Sequence, residues 1–129
     1  MQRMESLSQT VLACAFEVSN RLGVGFVESV YENALCVELQ QLGVNFTQQK
    51  PLKVIYKGSV IGNFVTDIIV ENRLLIELKV VSEFNKAHRA QVINYLKATG
   101  IPVGLLLNFG TPKLGVKRIV HQYTKTEVI

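Results

Sequence analysis

The sequence predicts an α/β (α+β) domain in the order α, α, a meander of three or four strands, α, β, β. Two observations lead there: apolar residues recur in steps of three and four over the first 42 residues, and between residues 46 and 81 the texture becomes β-branched and alternating. Met4, Leu7, Val11, Cys14, Val18 and Leu22 trace one stripe of a helix over residues 3–22, which Gly23 ends. A second helix begins near Val27, with Tyr31, Leu35, Leu39 and Leu42 on one face, Glu28 on the inward side one turn before Tyr31, and Gly43 as its stop. Lys50-Pro51, Lys57-Gly58 and Glu71-Asn72-Arg73 then divide the strands, among them 63–70 and 74–81. A third helix over residues 85–99 closes at Gly100, and strands at 103–108 and 116–121 finish the chain.

The 129 residues are 48% hydrophobic and 19% charged, with mean hydropathy +0.24 and no Trp, which fits one domain over residues 1–129 with a core of its own. Disorder and a disulfide scaffold are excluded by that balance. Apolar runs such as Val103-Gly-Leu-Leu-Leu107 are far short of a membrane span, and the polar start is unlike a signal peptide, so a soluble cytoplasmic protein is expected. Cys14 and Cys36 lack close Cys or His companions and read as small apolar residues on helices. The formal charge of +4 is divided unevenly: residues 1–49 carry 2 basic and 5 acidic side chains, residues 50–129 carry 12 and 5. A basic C-terminal section suits a polyanion, although many basic domains bind none.

Asp67, Glu77 and Lys79 interrupt strands that are apolar at both parities, as strands covered on both faces are. Glu77 and Lys79 share a face, being two residues apart. A three-residue turn at Glu71-Asn72-Arg73 would pair residues whose numbers sum to 144, setting Asp67 opposite Glu77, whereas a two-residue turn would undo that. Adjacent carboxylates repel, and a hard divalent cation with water completing its shell, Mg²⁺ or Mn²⁺ rather than zinc, removes the repulsion. The same pattern also suits a solvated edge strand with Asp67 in an ion pair. His88, Gln91 and Tyr95 make a polar stripe at i, i+3 and i+7 of the third helix, either a solvated face or part of a site. Glu28 is equally readable as an exposed residue at a helix start.

Gly25-Phe-Val-Glu28-Ser-Val-Tyr31 matches a G-x-x-E-x-x-Y signature, and with Tyr31-Glu-Asn-Ala-Leu35, Asp67, Ile76-Glu77-Leu-Lys79, His88-x-x-Gln91-x-x-Asn94-Tyr95-Leu96 and Leu107-Asn108-Phe109-Gly110 the chain resembles the GxxExxY family, a branch of the PD-(D/E)XK nuclease superfamily. The resemblance runs over residues 5–120 and implies a restriction-endonuclease-like core, a mixed central sheet flanked by helices. It implies Asp67, Glu77 and the main-chain carbonyl of Leu78 as metal ligands. Lys79 would orient the attacking water, with Glu28 at the site's edge and Gln91 and Tyr95 at metal-site groups or phosphate. Tyr31, His88, Lys97, Lys117 and Arg118 are further substrate-binding candidates, whereas His121 reads as a surface residue.

The leading functional reading is a Mg²⁺- or Mn²⁺-dependent nuclease that hydrolyses a phosphodiester with a metal-activated water. Lys50, Lys53, Lys57, Lys86, Arg89, Lys97, Lys113, Lys117 and Arg118 are candidates for contacts to the substrate backbone, with DNA the first choice of partner. The alternative is a non-catalytic nucleic-acid-binding or protein-interaction module that keeps the fold. Walker loops, Gly-x-Ser-x-Gly elbows and Cys–His nucleophile spacings are missing from the sequence, which leaves unrelated chemistry without support. Edge strands of a small sheet invite pairing between copies, so a homodimer is admissible.

Overall fold

The computed structural model describes residues 4–121. Two helices, α1 (Met4–Leu22) and α2 (Glu28–Gln41), precede β1 (Phe46–Tyr56), β2 (Ser59–Val70) and β3 (Leu74–Lys79), followed by α3 (Lys86–Thr99), β4 (Val103–Asn108) and β5 (Gly115–Val120). The strands form one mixed sheet in the order β1-β2-β3-β4-β5. Neighbours are antiparallel except β3 and β4, which run parallel and are joined through α3. The expected restriction-endonuclease-like architecture is therefore present: a mixed α+β sheet flanked by helices.

Strand parity divides the core. Leu74, Ile76 and Leu78 pack with Leu7, Val11, Tyr31, Leu35 and Leu39 of α1 and α2, while Leu75 packs with Val92 and Leu96 of α3, Leu106 and Ile119. Cys14 and Cys36 are buried free thiols in the helices, as expected, and burial pushes Cys36 up to about 11. β3 is buried from Leu74 to Leu78, in keeping with a central strand covered on both faces.

Several boundaries differ from expectation. The meander contains three strands, because β1 continues through Lys50-Pro51 as one edge strand of 11 residues. β2 starts at Ser59, closed to β1 by a two-residue Lys57-Gly58 turn with φ of 49° and 80°. Its outer part is not covered on both faces: Val60, Ile61 and Val65 are exposed. β3 ends at Lys79 because the Asn108 side chain bonds both Val81 N–H (3.0 Å) and Val81 C=O (2.9 Å), replacing strand pairing there. Leu42 is 62% exposed because α2 stops at Gln41, before Leu42 can join the buried stripe. Glu28 opens α2 at the protein surface, partly exposed but turned towards Asp67 and Lys79.

Candidate functional site

β2 and β3 pair as Val70↔Leu74, Ile69↔Leu75 and Ile68↔Ile76, which is the sum-of-144 register. The turn residues Glu71 and Asn72 take φ of 54° and 55°, and Arg73 N–H donates to Val70 C=O at 2.9 Å. Beyond Ile68 and Ile76 the ladder passes to side chains. Asp67 N–H donates to Glu77 Oε1 at 3.0 Å, and Leu78 N–H donates to Asp67 Oδ2 at 2.8 Å. Each carboxylate thus commits one oxygen to the other strand's backbone, and the second oxygen of Asp67, Oδ1, stands 3.5 Å from Gln49 Nε2.

Glu77 is 4% exposed, and burial first, with the Asp67 charge second, raises its carboxyl to about 9. Lys79, on the same face, donates from Nζ to Gln91 Oε1 at 2.8 Å, and Gln91 Nε2 donates to the Tyr95 hydroxyl at 3.0 Å. Burial, then the Glu77 charge, raises Tyr95. Phe64 from the β1–β2 arm stacks on Tyr95, ring centroids 4.3 Å apart. Glu28 borders this group: partial burial and Asp67 raise its carboxyl, opposed by Lys79. The structure therefore brings Asp67, Glu77, Lys79, Gln91 and Tyr95 together, with Leu78 between two of them and Glu28 at the rim.

Other candidates lie elsewhere. Tyr31 is fully buried, stacked on Phe109 at 4.9 Å, and its hydroxyl donates to Gly23 C=O (2.7 Å) and accepts from Phe26 N–H (3.2 Å), so it locks the α1–α2 connection rather than facing a substrate. His88 Nδ1 accepts Asn85 N–H at 3.2 Å while Asn85 Oδ1 accepts His88 N–H at 2.9 Å, a reciprocal cap on α3. Arg118 pairs with Leu105, whose side chain belongs to the α1–α2 core, so Arg118 is on the face opposite the site. Lys97 is exposed in the last turn of α3, off the Gln91–Tyr95 stripe. His121 is half-buried rather than a surface residue, with its N–H on Pro102 C=O at 2.9 Å.

Lys117 does share the site's face. It pairs with Leu106, which pairs with Glu77, so one row crosses the sheet from the carboxylates to a cation two strand spacings away, about 10 Å. Leu106 and Lys117 line a cavity of about 270 Å³ with Phe84, Asn85, Lys86 and Arg89. None of its three cations is ion-paired among the described residues, and no carboxylate lines it.

Sequence reasoning missed Glu32, Gln48 and Gln49. Glu32 is 5% exposed, and its carboxylate accepts from Gln48 Nε2 at 2.7 Å and from Gln49 Nε2 at 2.9 and 2.8 Å. Burial raises Glu32, the two amides oppose the rise, and the Asp67 carboxyl, which Glu32 meets directly, adds to it. Gln49 has φ of 54° inside a strand, a left-handed conformation that costs a non-glycine residue about 1–2 kcal/mol. Amides on a strand carry no motif, so only the Glu-x-x-Tyr-Glu spacing, which puts Glu32 one turn beyond Glu28, could have drawn attention to this group.

A divalent cation can be tested against these donors. Among the described residues no group of three or more His, Cys, Asp or Glu side chains could enclose a metal unaided. Two neighbouring carboxylates with oxygen donors only suit an ion that keeps part of its hydration shell, as Mg²⁺ does. The donor set fits a hard cation and not a closed zinc centre.

Among known proteins, no curated sequence matches the chain. The crystal structure of SSO0001 superposes with a TM-score of 0.60 at 16% identity, over 78% of this chain and 52% of that one, so the chain spans about half of SSO0001 and the likeness is one of fold. No helix among the described residues is long and apolar enough to cross a membrane. A family model for the PD-(D/E)XK nuclease superfamily matches residues 5–119, from the first turn of α1 into β5, and the chain belongs to that superfamily.

Proposed function

We propose that the protein is a metal-dependent nuclease of the GxxExxY branch, a single domain over residues 1–129 that hydrolyses phosphodiester bonds in DNA. One observation carries the reading: Asp67 and Glu77 are locked together by each other's strand backbone, with Lys79 beside them held by Gln91. Asp67, Glu77 and the Leu78 main-chain carbonyl would hold Mg²⁺ or Mn²⁺. When bound, such an ion supplies positive charge for the phosphate and makes a neighbouring water more acidic. Lys79 points its ammonium at the reacting water or the phosphate, and Gln91, fixed by Tyr95, limits its freedom. Glu28 at the rim adds negative charge that favours the cation.

The row from Glu77 through Leu106 to Lys117 supports a substrate path. A strand with its scissile phosphate at the carboxylates would run over Leu106, and Lys86, Arg89 and Lys117 would take a neighbouring phosphate in the basic cavity. A homodimer through an edge strand, β1 or β5, would offer two such sites to a duplex in the cytoplasm.

Incubation of the pure protein with plasmid and single-stranded DNA, with Mg²⁺ or Mn²⁺, tests the proposal against Asp67→Ala and Lys79→Ala. Cleavage by the parent protein and a loss on the order of 10²-fold or more in each variant is expected. Equal cleavage by all three would assign the activity to a contaminant.

A further inference from the structure

Gln49 lies opposite Asp67 across the β1–β2 ladder. Pairs Gln48↔Ile68 and Lys50↔Thr66 flank the position, but between them the ladder has no pair, and Gln49 takes φ of 54°. This departure turns the Gln49 amide onto the buried carboxylate of Glu32, whose two oxygens it meets at 2.9 and 2.8 Å, while the same Nε2 stands 3.5 Å from Asp67 Oδ1. Glu32 is held from the other side by Gln48 at 2.7 Å. The arrangement therefore places one neutral donor between two carboxylates that would otherwise repel each other. A lysine there would neutralise them and compete with a cation. An amide lets them approach without adding a positive charge.

Building on the nuclease reading, we propose that Gln49, anchored by Glu32, is a positioning residue that fixes the Asp67 carboxylate for its bond to Leu78 N–H and for the cation. Glu32 acts through Gln49 as well as by its own contact with Asp67, and neither residue touches substrate.

The decisive variant is Gln49→Gly, which accepts a positive φ and removes the side chain with its amide. The Leu78 N–H, bonded to Asp67 Oδ2 at 2.8 Å, reports Asp67 placement in metal-free protein through its ¹H–¹⁵N resonance. That resonance is expected to move upfield in Gln49→Gly, and in the same direction in Glu32→Gln, where a donor replaces one acceptor oxygen. Calorimetry with Mn²⁺ alone is expected to give an affinity about 10-fold or more weaker for Gln49→Gly. A Leu78 resonance that stays in place in Gln49→Gly overturns the positioning role whatever the Mn²⁺ affinity. A shift in Gln49→Gly without one in Glu32→Gln overturns the anchoring by Glu32. Failure of the parent protein to bind Mn²⁺ overturns the metal reading instead, and the amide resonance still decides the role of Gln49.

Discussion

Glu77 ionises near 4.5 in an unfolded chain and near 9 in its buried place beside Asp67, so over most of that interval the folded protein holds a proton that the unfolded chain has released. A raised folded value means that this group's contribution to stability is fully present below 4.5 and is lost as pH rises towards 9. In metal-free buffer the Tm is therefore expected to fall as pH rises from about 5 to about 9, and Glu77→Gln is expected to flatten that fall and raise the Tm by a few degrees at about pH 8. Melting curves across the pH range check both. A parent and variant with the same slope would contradict the burial argument. Glu28 and Glu32 are raised in the same direction, so some slope remains in the variant. At this scale the Asp67–Glu77 pairing was legible because a three-residue turn has only one register consequence. The Glu32–Gln49 bond was not, since a left-handed glutamine inside a strand leaves no trace in sequence pattern. Tyr31 and His88 misled for a common reason: a polar-tipped ring serves a backbone cap or a core as readily as a ligand.

Helix α3 holds Gln91 over Lys79, and its seat on the sheet depends on Gly104 of β4. A Cβ added there would lie 2.7 Å from Val92 Cγ1 and 3.5 Å from Leu96 Cδ2. Val92 is fully buried and β-branched, with little rotamer freedom in a helix, so the helix must lift rather than the side chain turn. Gly104→Ala is expected to cost about 1–3 kcal/mol in chemical denaturation. Adding Val92→Ala reopens the space, so the double variant is expected to be more stable than Gly104→Ala alone; strict additivity of the two losses would show that they do not meet. Element order and the stop of α3 at Gly100 were readable from periodicity and breaker residues. Strand ends were not, because they are set by distant side chains: Asn108 ends β3 by taking over the backbone of Val81.

Over the whole molecule, the uneven charge of the sequence acquires a location. The acidic first section contributes Glu28 and Glu32, which approach Asp67 from α2, while Lys86, Arg89 and Lys117 gather beyond Leu106 on the α3 face that Glu77 shares. Attraction for a cation and for a polyanion thus sit side by side on one face of the sheet, the combination that phosphodiester chemistry needs. Arg118 was a candidate alongside Lys117, and strand parity separates the two, a distinction that requires the register of β5 on β4. On the proposed function, Asp67 and Glu77 would hold a divalent cation. A crystal soaked in Mn²⁺ and measured for anomalous scattering is expected to show a peak beside the two carboxylates on the α3 face of the sheet, and an empty position with the two side chains turned apart would rule that out.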